Sequence, residues 1–222
     1  LLTGTLNRVM IVELGVPASL VAIMLAIPLV FAPFRALIGF KSDNHRSELG
    51  WKRVPYIYKG TMIQFGGLAI MPFALLVLSG GGHAASVPTW IGQVSAGIAF
   101  LLVGAGIHIT QTAGLALATD LAPVESQPKV VGLMYVMLLV GMIVSAFAYG
   151  ALLQTYTPGR LVQVIQGSAV VTILLNGIAM WKQEARNRER AQTPQPVQHF
   201  GEAWARLAAR PGMVRLLIVI AL

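Results

Sequence analysis

His108 has Gly104 four residues before it and Gln111 and Thr112 three and four residues after it, a spacing that could serve chemistry. Positions three and four apart share one face of a helix, so an imidazole would stand beside a small residue, an amide and a hydroxyl. Neutral imidazole can ligate a metal ion. A lone histidine inside a helix bundle more commonly makes a hydrogen bond to a neighbouring helix, and no spacing here argues for ligation. Other chemistry has less support. No paired-carboxylate site, phosphate-binding glycine loop or cluster of metal ligands stands out, so neither an enzyme nor a metal site of the protein's own is expected. The absence of cysteine excludes disulfides and thiolate chemistry.

The element that must position His108 is an apolar run over about 90–118, one of five that could cross a bilayer; the others are 16–38, 56–79, 130–153 and 161–181. His108 is the ionisable residue well inside such a run, and intramembrane ionisable groups are functional candidates by default. Arg35 and Lys59 lie near span ends and are expected to snorkel to the headgroups. Composition agrees with a polytopic membrane protein of all-α class: 56% of the 222 residues are apolar and 11% charged, where a soluble domain would have about a quarter charged. Pro28, Pro33 and Pro72 fall inside spans and should kink them. Gly141 with Ser145, and Ala146 with Gly150, form small-xxx-small pairs suited to close helix approach. Gln93, Gln163, Gln166 and Asn176 read as interhelical hydrogen-bonding residues, and Asn7, Arg8 and Glu13 as groups near the outer end of a first helix.

Sidedness follows from the connections. Residues 41–53 carry four Lys or Arg and 182–215 carry seven, whereas 80–89 carry none and 154–160 one. The basic connections belong in the cytoplasm and the neutral ones outside. The net charge of +8 is explained by these loops, so no nucleic-acid partner is expected. The connection 119–129 has one Lys and two acids, and falls on the cytoplasmic side by counting alone. Within 182–215, residues 182–196 read as a linker. Phe200, Ala203, Trp204 and Leu207 share a face with Arg206 and Arg210 beside it, as in a helix lying at the membrane surface. Residues 1–10 read as a chain already under way.

Two cytoplasmic loops carry a resemblance. Gly39, Asp43, Gly50, Lys52 and Arg53, with Arg46 between, are similar to the loop between helices two and three of the major facilitator superfamily, although the spacer after Asp43 is longer and Asn44 follows the acid. Asp120 and Pro123, leading to Lys129 and Gly132, resemble the next cytoplasmic loop of that superfamily. In that register the five spans are helices two to six of a major facilitator superfamily-like bundle, making up the N-terminal half. Residues 1–181 would be the bundle with its first helix truncated, 182–215 a cytoplasmic linker, and 216–222 the start of helix seven. The segments 2–14, 33–47 and 111–123 further resemble the PucC/LhaA, or bacteriochlorophyll delivery, family.

That resemblance implies assembly of photosynthetic light-harvesting complexes in the inner membrane of a phototrophic bacterium, with pigment handed over and no covalent chemistry. Its implied cofactor is bacteriochlorophyll, and its implied partners are membrane lipid, light-harvesting antenna polypeptides and, second to these, the reaction centre. His108 would then be a candidate ligand of the pigment magnesium, with Gly104, Gln111 and Thr112 beside it, while Asp43, Arg46, Lys52 and Arg53 latch helices. Two rival functions remain: secondary transport of a small solute, for which such folds are built, and a permanent structural subunit of a photosynthetic complex.

Overall fold

The computed structural model describes residues 1–45, 47–80, 87–184, 199–210, 212–215 and 219. Arg46, most of the 182–196 linker, residues 81–86 expected on the outer side, and the expected start of helix seven over 216–222, position 219 apart, lie outside them.

Two short π-helical turns, Leu2–Leu6 and Val9–Glu13, lead into α1 (Ala18–Ala26). A 3-10 turn, Ile27–Phe31, joins α1 to α2 (Phe34–Asp43). Then follow α3 (Val54–Leu78), α4 (Thr89–Leu121), α5 (Gln127–Leu152) and α6 (Pro158–Met180). A short α7 (Phe200–Ala208) comes after the spans. Among the described residues, five segments are long and apolar enough to cross a membrane: Ala18–Asp43, Val54–Leu78, Thr89–Leu121, Val124–Leu152 and Pro158–Met180. The expected spans are all present, and the chain is a polytopic helical membrane protein.

Prolines act differently in the first and second of these spans. Pro28 and Pro33 cannot donate to the carbonyls of Met24 and Leu29. The Ala32 N–H bonds Leu29 O at 2.9 Å instead, which tightens the chain into the 3-10 turn and directs that N–H away from Pro28 O, its α-helical acceptor. Pro72, by contrast, is buried inside an α3 that runs on to Leu78.

The core lies between α3 and α4. Gly92, Ala96, Ala99, Val103 and Gly106 recur along α4 at alternating intervals of four and three, and all are buried. Across from them Leu78, Gly67 and Gly60 come so near that a Cβ on Gly92, Gly67 or Gly60 would stand 2.7, 2.7 and 2.5 Å from the facing helix. This is close small-residue packing of the kind that drives helix association where lipid offers no hydrophobic contrast. Among the described residues, the pairs expected to do this in α5 do not: a Cβ on Gly141 or Gly150 would meet nothing within 4 Å, and no α5 residue is buried. Spacing alone does not say which side of a helix has a neighbour.

Candidate functional site: a polar stripe and an open cleft

The stripe seen in the sequence runs along the side of α4 that meets the first span. A Cβ on Gly104 would lie 2.5 Å from Pro28 Cβ, so only glycine admits the 3-10 turn here. One turn on, His108 Nε2 is 3.1 Å from Pro28 O, the carbonyl that the Ala32 N–H does not serve in α-helical fashion. A carbonyl only accepts, so Nε2 carries the proton and donates, leaving Nδ1 as the lone-pair nitrogen. Nδ1 is buried and has no partner among the described residues. His108 therefore faces a neighbouring helix, and in this arrangement neither ring nitrogen is open to a ligand.

Further along the stripe, Gln111 Oε1 accepts a hydrogen bond from Arg35 Nη2 of α2 at 2.5 Å. Thr112 returns its hydroxyl to His108 O at 2.7 Å and lies beside Gly39, on which a Cβ would be 3.9 Å from Thr112 Cγ2. An amide on α4 thus orients the Arg35 guanidinium through one hydrogen bond.

Gln111 and Thr112 border a cleft of about 960 Å³ between α4, α5 and α6, with Arg35 at its edge. Most of its wall is apolar, including Leu115, Met134, Leu138 and Met180, and its polar groups are few: Gln111, Thr112, Thr119, Tyr135, Asn176 and Gln183 beside Arg35 and Thr110. His108 and Gly104 do not line it. Asn176 was legible only as a helix-bonding residue. Here its amide donates to Thr61 Oγ1 at 2.9 Å, and the residue also borders the cleft. An apolar cavity of this size with a few convergent polar groups is a ligand-site geometry.

Below the cleft, charged residues tie the helix ends together. Arg53 at the start of α3 is buried and pairs with Asp43 at the end of α2. Its Nε donates to Asp120 Oδ2 near the end of α4 at 3.0 Å, and its Nη1 to Ser42 Oγ at 2.7 Å. These contacts put the 119–129 connection on the same side as 41–53. Glu184, just past α6, accepts from the backbone N–H groups of Lys52, Arg53 and Val54 at 2.7, 3.0 and 3.1 Å. A carboxylate there satisfies otherwise orphan donors and opposes the positive end of the α3 dipole. Gly50, at φ +75°, closes the loop in the left-handed region, with its N–H on Ser47 O at 2.9 Å. Pro123 O accepts from Ser126 and Gln127 N–H, starting the turn into α5. Sequence reasoning grouped Asp43, Lys52, Arg53 and Asp120 but missed Ser42 and Glu184, which have no pattern of their own; Arg46 lies outside the described residues.

The short α7 docks here too. The rings of Phe200 and Phe40 meet edge to face with centroids 5.4 Å apart, and Trp204 stacks on Phe200 at 6.2 Å. His45 packs edge-on against Tyr56 at 5.2 Å. Burial, and next to it the charge of Lys59, hold the His45 imidazole below its ordinary pKa, against the opposing pull of Glu184.

The family model described as PUCC protein matches residues 5–222. The chain belongs to the PUCC family. PUCC relatives include "Protein PucC" of Rhodobacter capsulatus, 67% identical over all of this chain and 49% of its own length, and "Protein PucC" of Rhodovulum sulfidophilum, 64% identical over all of this chain and 50% of its own. More distant is "Bacteriochlorophyll synthase 44.5 kDa chain" of Rhodobacter capsulatus, 26% identical over 95% of this chain and 47% of its own. This PUCC chain spans about half the length of the curated relatives it matches. No solved structure matches it.

Proposed function

We propose that this chain is part of an assembly factor for photosynthetic light-harvesting complexes, which holds bacteriochlorophyll in the cleft and passes it to antenna polypeptides in the inner membrane of a phototrophic bacterium. The observation that carries this reading is the cleft itself: about 960 Å³, mostly apolar, open beside α5 and furnished with amide and hydroxyl groups that can orient a large apolar molecule. The likeness to proteins named PucC and to one named for bacteriochlorophyll synthesis supports the choice of cargo. In this reading His108 keeps the first span's broken helix in place, and Gln111, Thr112 and Asn176 face the pigment. The reading includes a major facilitator-like arrangement, in which a second set of helices covers α5, and it needs no covalent chemistry.

The test is deletion of the gene in its own host, followed by absorption spectra of the membranes. Antenna absorbance should fall while reaction-centre polypeptides persist. Unchanged antenna with slowed uptake of a solute would replace this reading with transport.

A further inference from the structure

Arg35 is the one charged side chain bordering the cleft among the described residues. Its distance from the Arg53 cluster can be read along two helices. It precedes Asp43 by eight residues, about 12 Å of helix, and its partner Gln111 precedes Asp120 by nine, about 14 Å. Asp43 and Asp120 both meet Arg53, so they mark one level, and Arg35 and Gln111 stand back from it along their helices by those lengths. Among the described residues, no carboxylate lies within 4.0 Å of Arg35.

A guanidinium offers five N–H donors, and the contact to Gln111 uses one. A cation set against an apolar wall is costly unless it meets a partner. Gln111 supplies orientation without charge, and the neighbouring cleft wall at Leu115, Met134 and Leu138 is apolar. The cleft thus has an apolar body and one cationic corner.

We propose that Arg35, oriented by Gln111, binds an oxygen acceptor (a carbonyl, carboxylate or phosphate oxygen) carried by a predominantly apolar ligand seated in the cleft. The proposal rests on the pigment-handling reading where the ligand is bacteriochlorophyll, whose ring substituents carry carbonyl oxygens. A phospholipid phosphate offers the same chemistry from another source.

The test uses the full-length protein in nanodiscs of phosphatidylcholine, with and without phosphatidylglycerol. Bacteriochlorophyll binding is titrated by absorption, and retained phosphatidylglycerol is counted by native mass spectrometry. Arg35→Gln should weaken the ligand that occupies the corner by roughly tenfold or more, the loss expected for a hydrogen bond to a charged group. Pigment affinity lost in Arg35→Gln supports both the proposal and the reading beneath it. Wild type that binds no pigment, but retains phosphatidylglycerol that Arg35→Gln loses, keeps the proposal and removes the pigment reading. Pigment and lipid bound equally by wild type and Arg35→Gln overturn the proposal and leave the reading intact; no binding of either by wild type overturns both. Should Arg35→Gln fail to fold, Gln111→Leu carries the test, because it frees the guanidinium without changing charge. Its affinity should fall severalfold, and unchanged affinity for both ligands overturns the proposal.

Discussion

Toward α3, α4 packs glycine against backbone at distances that leave no room for a methyl group; toward α5 and α6 it borders a cleft of about 960 Å³. Both flanks belong to one 33-residue helix, about 50 Å long at 1.5 Å per residue. The contrast shows how a single helix can be fixed and still border a variable space: Gly106 and Val103 lock one side, so Gln111 and Thr112 on another have a defined depth and direction.

The largest effect is expected where the packing is tightest. A Cβ on Gly106 would stand 2.5 Å from Gln64 N and Gly60 O, backbone atoms among them, so Gly106→Leu should cost about 3 kcal/mol or more and largely abolish folded protein in detergent. Gly141→Leu on the bare α5 should stay within about 0.5 kcal/mol in this chain. Thermal unfolding of the two variants compares the flanks directly, and equal losses would erase the contrast.

Arg53→Gln comes next. Arg53 is buried, but Asp43 and Asp120 are 56% and 51% exposed, so the loss should be about 2 kcal/mol, below that of a fully buried pair. Restoration of the thermal midpoint by removing both acids as well would show that unpaired charge, and not lost packing, is the cause.

His108→Leu removes one interhelical hydrogen bond and should lower stability by about 1 kcal/mol. Because neither imidazole nitrogen is open, bound pigment in the full-length protein should be unchanged. A fall in pigment without a fall in thermal midpoint would return His108 to the role of magnesium ligand.

The smallest effect concerns pH. His45 has its folded pKa lowered, so its neutral form is favoured in the native loop; the associated stability is present above the ordinary value of 6.5 and is lost as pH falls through the depressed folded value. His45 is partly exposed, so the thermal midpoint should drop only slightly between pH 7.5 and pH 5, and His45→Phe should remove that part of the drop.

The spans were legible because hydropathy and charge dominate a membrane chain: 54–78 and 158–180 sit within three residues of their expected limits. The first span runs on to Asp43 because α2 continues unbroken through the polar residues Lys41 to Asp43. The candidate site was legible only in part. Gly104, His108, Gln111 and Thr112 share a face, as three- and four-residue spacing requires, but the partner of that face depends on tertiary packing. Thus His108 meets Pro28 O and Gln111 meets Arg35. The repeat from Gly92 to Gly106 was a readable signal of the seam, whereas Glu184 could not be assigned from sequence because the N–H groups that donate to it lie 130 to 132 residues earlier.

That separation also orders events during synthesis. A ribosome inserting this chain delivers the amino end of α3 long before it delivers Glu184, so the exposed N–H groups at positions 52 to 54 wait, served by water, until the last of the five spans has entered the bilayer. Glu184 then acts as a clasp that closes only after α6 is in place, and an insertion stalled before α6 leaves the N–H groups at 52 to 54 without it.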